Sequence, residues 1–195
     1  MKLSFSTRGW HQLSWDELIN AACEMRFQGI EVYNIEADSS LTDRGGPFHK
    51  YNCASTVRAL RDSGLSIVCF DTNFDISVKD DTAIDSLRSV MEISASTGVS
   101  YVSLCAKIGN IETVRENIAC LLKDAEKLGI TLLIKTTGIF SNTEALRDLL
   151  NYFASDFTAV LWDMHKTYRV GGESAATTIT NLGSYVRHVL SLIHI

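Results

Sequence analysis

The sequence predicts an α/β protein, a (β/α)8 barrel that lacks its last portion, and three observations point there. Helical stretches stop at Gly29, Gly64, Gly98 and Gly129, spaced 35, 34 and 31 residues apart, and each stop is followed at once by a β-prone run. Strand and helix alternating every roughly 30 residues require right-handed crossovers and a parallel sheet. The first strand ends in Ser6-Thr7-Arg8-Gly9-Trp10, without the G-x-G-x-x-G of a doubly wound dinucleotide fold. A complete barrel spends about 250 residues on eight units; these 195 supply seven strands and six helices.

Each element has its own warrant. Residues 2–6 read as the first strand. Ser14-Trp15-Asp16-Glu17 is a capping box, with Leu13 and Leu18 placed as its hydrophobic staple, so a helix runs from here to about Phe27. Ile30-Glu31-Val32-Tyr33 follows as the second strand. Leu65–Phe70, Val99–Cys105 and Ile130–Ile134 are the third, fourth and fifth, each after a glycine suited to a left-handed helix end. The intervening helices are amphipathic, with Ile84, Leu87, Met91 and Ala95 on one face and Val114, Ile118, Leu121, Leu122 and Ala125 on another. Ser141-Asn142-Thr143-Glu144 reads as a second capping box, opening the helix of Leu146, Leu149, Leu150 and Phe153. Breaks at Ser155-Asp156 and at Gly183 introduce the sixth strand, Phe157–Trp162, and the seventh, Tyr185–Val189.

Composition narrows the function. Hydrophobic content of 46% over 195 residues suits one globular domain, expected over residues 1–189. A net charge of −5 argues against nucleic-acid and anionic-membrane partners, which want clustered Lys and Arg. No apolar run approaches the roughly 20 residues of a membrane span, and the opening Met1-Lys2-Leu3-Ser4-Phe5 lacks a signal-peptide pattern. Cys23, Cys53, Cys69, Cys105 and Cys120 are odd in number and form no C-x-x-C pair, the pattern of buried thiols in a reducing compartment. A cytoplasmic protein is expected.

In a parallel barrel the chemistry gathers at the C-terminal ends of the strands. In this sequence those ends offer Ser6 and Thr7, Glu31, Asp71, Ala106 and Lys107, Lys135, Asp163 with His165, and His188. Such carboxylates and imidazoles suit a divalent cation such as Mn²⁺, Mg²⁺ or Co²⁺, or acid–base work on a polyol. Each alone also has a plain reading: Glu31 as a solvated strand-end charge, Asp71 and Asp163 as turn aspartates, His165 as a surface histidine. His11, His49 and His194 sit in no pattern, although His49 follows the second strand closely enough to reach a substrate.

From Lys2 to Val189 the chain resembles the xylose isomerase-like sugar phosphate isomerase/epimerase superfamily of TIM barrels. The resemblance lies in Gly29-Ile30-Glu31-Val32-Tyr33, Leu132-Leu133-Ile134-Lys135-Thr136-Thr137-Gly138, Leu161-Trp162-Asp163-Met164-His165, Gly172-Glu173-Ser174 and Tyr185-Val186-Arg187-His188-Val189. It implies a sugar or sugar phosphate substrate, proton transfer beside a ketose or aldose carbonyl, and one divalent cation held by residues of strands five to eight. By that resemblance Asp163 is the strand-six metal ligand, His165 a substrate-contacting histidine, and Glu31 a polar group lining the site. Lys135 stands where the family has a metal-binding, proton-abstracting Glu, and Leu190 where strand seven has its second His. Catalytic roles are therefore expected of Glu31, Lys135 and His165, and substrate contacts of His49, His165 and His188.

Residues 190–195, Leu190-Ser191-Leu192-Ile193-His194-Ile195, match neither the end of strand seven nor a final βα unit, and a non-native or truncated tail is expected there. Impaired activity and self-association through open sheet edges follow from that expectation. Two alternatives remain: a sugar-binding module without catalysis, and an aldolase using Lys135 as a Schiff-base amine. The endonuclease branch that shares the barrel is disfavoured by the charge and by the lack of a histidine-rich metal pattern.

Overall fold

The computed structural model describes residues 2–10 and 12–191. His11 and His194, and with the latter most of the expected tail, lie outside the described residues. Seven strands form one sheet in the order β1-β2-β3-β4-β5-β6-β7. They are β1 (Ser4–Ser6), β2 (Gly29–Tyr33), β3 (Ser66–Asp75), β4 (Tyr101–Cys105), β5 (Thr131–Lys135), β6 (Thr158–Asp163) and β7 (Val186–Leu190). Chain order and sheet order coincide, and β1 with β2, β2 with β3, β5 with β6, and β6 with β7 pair in parallel. This is the topology of an incomplete (β/α)8 barrel.

Eight α-helices are present among the described residues: α1 (Trp15–Glu24), α2 (Ser39–Thr42), α3 (Cys53–Asp62), α4 (Asp81–Thr97), α5 (Ile111–Leu128), α6 (Thr143–Phe153), α7 (Met164–Arg169) and α8 (Ala175–Leu182). The two beyond the expected six, α2 and α7, are pieces of four and six residues in βα loops, too short to show periodicity. None of the helices among the described residues is long and apolar enough to cross a membrane.

The chain divides into two compact units, residues 1–72 with 85–102, and residues 73–84 with 103–195. In the first, Phe48 is buried between Trp15 and Phe70, with ring centroids 5.0 and 5.2 Å away, both edge-on. Ile30, Val32, Leu60, Leu87 and Met91 complete that core. In the second, Val114, Ile118, Leu121 and Ala125 of α5 are buried, as are Leu132 and Ile134 of β5, Leu146 and Leu150 of α6, and every residue of β6. Asn117 lies on the buried side of α5, and its amide donates to the carbonyls of Ile76 and Val78, both at 2.9 Å, tying down the loop after β3.

Glycine punctuation holds at Gly64, Gly98 and Gly129, with φ of 71°, 71° and 69°. It fails at Gly29. There Arg26 takes the left-handed conformation (φ 58°), and the Phe27 N–H closes on the Ala22 carbonyl, as in a Schellman ending. Gly29 instead belongs to β2, where a Cβ would come within 2.5 Å of Val68 Cγ1. The need is for close strand packing and not for a positive φ.

The second capping box does not form as expected. Ser141 ends a 3-10 turn (Gly138–Ser141) and so cannot take the extended backbone of an N-cap. Asn142 takes it (φ −85°, ψ 112°), its side chain accepting from the N–H groups of Glu144 and Ala145. The first box forms as expected, Ser14 and Glu17 capping each other's backbone.

Candidate functional site at the strand ends

In the first unit, register places Ser6 beside Glu31, Glu31 beside Cys69, and Tyr33 beside Asp71. Side chains two apart on a strand share a face, so Ser6, Glu31, Tyr33, Cys69 and Asp71 lie on one face. Glu31 and Asp71 are each 1% exposed, so neither is the solvated charge or turn aspartate of the plain reading. The strand β3 runs on to Asp75 instead of turning at Asp71. Thr7 holds the end of β2, its hydroxyl accepting from the Tyr33 N–H at 2.9 Å, and the Arg8 guanidinium lies 5.0 Å from the Tyr33 ring centroid. His49 is half-buried in the turn before α3; its Nδ1 accepts from the Tyr51 N–H and its ring packs edge-on against Tyr51.

The second unit gathers the other residues. Lys135 is the last residue of β5 and pairs with Leu161; His188 of β7 pairs with Leu161 from the other side; Leu190 pairs with Asp163. Lys135, Leu161, Asp163, His188 and Leu190 therefore share one face in two successive rows. Lys135 is 8% exposed and Asp163 3%. Asp163 is doubly held. Its N–H donates to the Thr136 hydroxyl at 2.9 Å, and its Oδ1 accepts from the Lys166 N–H at 3.0 Å, making it the N-cap of α7. A carboxylate at the end of a buried strand is thus rigidly placed, with one oxygen used by the helix it starts.

His165, in the first turn of α7, is half-buried and lines a cavity of about 310 Å³ with Trp162, Tyr168, Glu173 and Ser191 among its walls. Lys135, Asp163 and His188 do not line that cavity. Adjacent residues on a strand point to opposite faces, and Trp162, the neighbour of Asp163, turns its indole to the Thr167 hydroxyl at 3.0 Å. The structure thus brings Lys135, Asp163 and His188 together on one face and sets His165 in a separate cavity.

Glu173 was visible in the sequence only as part of a helix start. Its carboxylate accepts from the Thr143 N–H (2.8 Å) and hydroxyl (2.6 Å) and from the Thr178 hydroxyl (3.1 Å). Thr143 lies 30 residues away, and no local signal links the two. The shared hydrogen bonds fasten the starts of α6 and α8 to one carboxylate, which positions the cavity wall.

The divalent cation that the resemblance implies is held by carboxylate and imidazole side chains of strands five to eight, so several such donors are needed on one face. Among the described residues no group of three or more His, Cys, Asp or Glu side chains could hold a metal ion. The shared face offers Asp163 and His188; Leu190, beside Asp163, is hydrocarbon, and Lys135 while protonated has no lone pair to give. The donor set does not fit the cation.

Comparison with known proteins places the fold. A search of curated proteins finds no match. Among solved structures, the "probable 3-DHS dehydratase AsbF" of Bacillus anthracis is similar at a TM-score of 0.80 and 15% identity, over 97% of this chain and 72% of that one. A D-psicose 3-epimerase, solved in the presence of D-fructose, matches at 0.74 and 14%, over 98% and 73%. The IolI protein with a binding zinc atom matches at 0.75 and 16%, over 95% and 70%. At such identities the likeness is one of fold. The model of the xylose isomerase-like TIM barrel matches residues 19–195. By that match the chain belongs to the xylose isomerase-like TIM barrel family.

Proposed function

We propose that this chain acts on a sugar or sugar phosphate as an isomerase or epimerase, moving a proton at the carbon beside a ketose or aldose carbonyl. The observation that supports this most is the shared face of the second unit, where a buried ammonium, a rigid carboxylate and an imidazole stand within two rows at the strand ends. The epimerase among the similar structures agrees with it. Each group has a task that its chemistry suits. The Lys135 ammonium holds a proton at Nζ toward the carbonyl oxygen, which gains charge as the neighbouring C–H ionises. The Asp163 carboxylate accepts from sugar hydroxyls, and His188 orients them. Glu31 keeps the catalytic role, and His49 and His165 the substrate contacts, expected of them from the sequence. No part of this chemistry uses a divalent cation, because the donors for one are missing from the wall.

Incubation with ketoses, aldoses and their phosphates in D2O, followed by proton NMR, tests the reading. Slow deuterium incorporation at the carbon next to the carbonyl, abolished by Lys135→Met, is expected. Absence of incorporation with every sugar offered would overturn it. Saturable sugar binding that a chelator leaves unchanged would then support the second reading, a sugar-binding module without catalysis, which the lysine on β5 and the leucine on β7 favour. Borohydride in the presence of a ketose separates out the aldolase, which alone leaves a covalent adduct on Lys135. Cytoplasmic location and self-association through the sheet edges belong to the same proposal.

A further inference from the structure

We infer that the wall formed by β5, β6 and β7 excludes divalent cations and holds an ammonium in their place. The inference rests on the geometry of this wall and stands whatever substrate the chain takes. In the row nearest the strand ends, Asp163 faces Leu190 across the β6–β7 pair, so a cation drawn to the carboxylate meets hydrocarbon where a second donor would be needed. One row down, Lys135 and His188 flank Leu161 from β5 and β7. With an ammonium on this same face, a divalent cation would be repelled by a fixed charge of its own sign. The carboxylate is further restricted, because its Oδ1 already accepts the N–H of Lys166 that begins α7. Turning that oxygen to a metal would uncap the helix.

The electrostatic consequence is a substitution of one cation for another. A buried carboxylate at 3% exposure is costly to hold without positive charge nearby. A metal ion would supply that charge reversibly, whereas a lysine at the end of β5 carries its amine on the chain itself. The lysine therefore changes the dependence of the protein on its surroundings. A chelator should leave both folding and ligand binding untouched.

The test is direct. The chain is stripped with chelator and titrated with Mn²⁺ and Co²⁺, following heat by calorimetry and the cobalt ligand-field bands by absorption. The expected result is no saturable binding up to millimolar metal, or binding that Asp163→Asn leaves unchanged. Saturable binding in the micromolar range that Asp163→Asn abolishes would overturn the inference. The paired change Lys135→Glu with Leu190→His supplies the two missing donors on the same face. Provided it melts cooperatively, it should bind Co²⁺ at least roughly 100-fold more tightly than the parent. A folded double variant that binds no more tightly would also overturn the assignment, since these two residues would then not be what keeps the metal out.

Discussion

Glu173 fastens two helix starts with one carboxylate. It takes the N–H and hydroxyl of Thr143 and the hydroxyl of Thr178, and Asn181 completes the set by donating to the Thr143 hydroxyl at 2.8 Å. Hydrogen bonds to a charged acceptor are among the stronger ones, and the groups left behind, Thr143 and Thr178, are fully buried. Glu173→Ala should lower stability by about 2 kcal/mol, read from the urea midpoint, and should loosen the wall carrying His165. An unchanged midpoint would mean that water replaces the carboxylate without loss. Glu17 shows a smaller effect with a definite sign. The Ser14 hydroxyl and backbone N–H hold its carboxyl below the ordinary value of 4.5. A carboxyl whose folded value is lowered stabilises the fold above its unfolded value and loses that contribution as pH falls through the folded one. In Ser14→Ala the hydroxyl, the larger cause, is gone, so the Glu17 midpoint in a carboxyl NMR titration should move back up toward 4.5. A midpoint that stays put would place the cause elsewhere.

At the scale of elements, two backbone positions decide how loops and helices close. Gly138, at φ 59°, opens the loop after β5, and a Cβ there would lie 2.0 Å from the Ala106 carbonyl oxygen and 2.7 Å from Lys107 Cα. The Ile139 N–H donates to that same carbonyl at 3.1 Å, so the β4 and β5 loops are locked backbone to backbone. Gly138→Ala combines a clash with an unfavourable φ and should cost about 3 kcal/mol, seen as a fall in Tm; a Tm within a degree of the parent would show that the loops can part. The opposite case is Ala154, which closes α6 at φ 45° with its N–H on the Leu150 carbonyl. Glycine is the cheap residue there, and Ala154→Gly should raise stability by about 0.5 kcal/mol, the strain relieved being partly offset by a more flexible unfolded chain. The sequence marks this break only as Ser155-Asp156, because alanine carries no sign that it will adopt a left-handed conformation. Similarly, the asparagine cap of α6 hides behind a serine that looks better placed but is drawn into the preceding turn.

At the scale of the whole molecule, the order of elements was legible because each βα unit repeats one pattern: an apolar run, an amphipathic helix, a residue that stops it. Lys135, Asp163 and His188 could be placed at strand ends for that reason alone, since an apolar run that stops at a charge defines its own end. Their sharing of one face could not be read, because it depends on register, and the β6–β7 pairing slips between Val160 and Leu161. Without that irregularity the seventh strand would show its alternate residues to Asp163. The six residues of α7 that set His165 in its own cavity were equally silent, being fewer than two helical turns and too few to repeat a pattern. The sheet order raises a last consequence. It begins at β1 and ends at β7, so among the described residues the outer side of β7 is not paired to another strand. Val189 on that strand is 47% exposed and Ile179 on α8 57%. A strand edge with apolar side chains is a template for a second strand, and proteins that stay monomeric usually blunt such an edge with charge. Arg187 is the one charged side chain that β7 itself carries beside the half-buried His188, and its guanidinium is turned back onto the Ser184 and Val186 carbonyls. Sedimentation velocity should therefore show mass rising with concentration, and Val189→Lys should shift the chain toward monomer with little change in Tm. A parent chain that sediments as a monomer across the whole micromolar range would show that the edge is protected, and the expectation of self-association would fall.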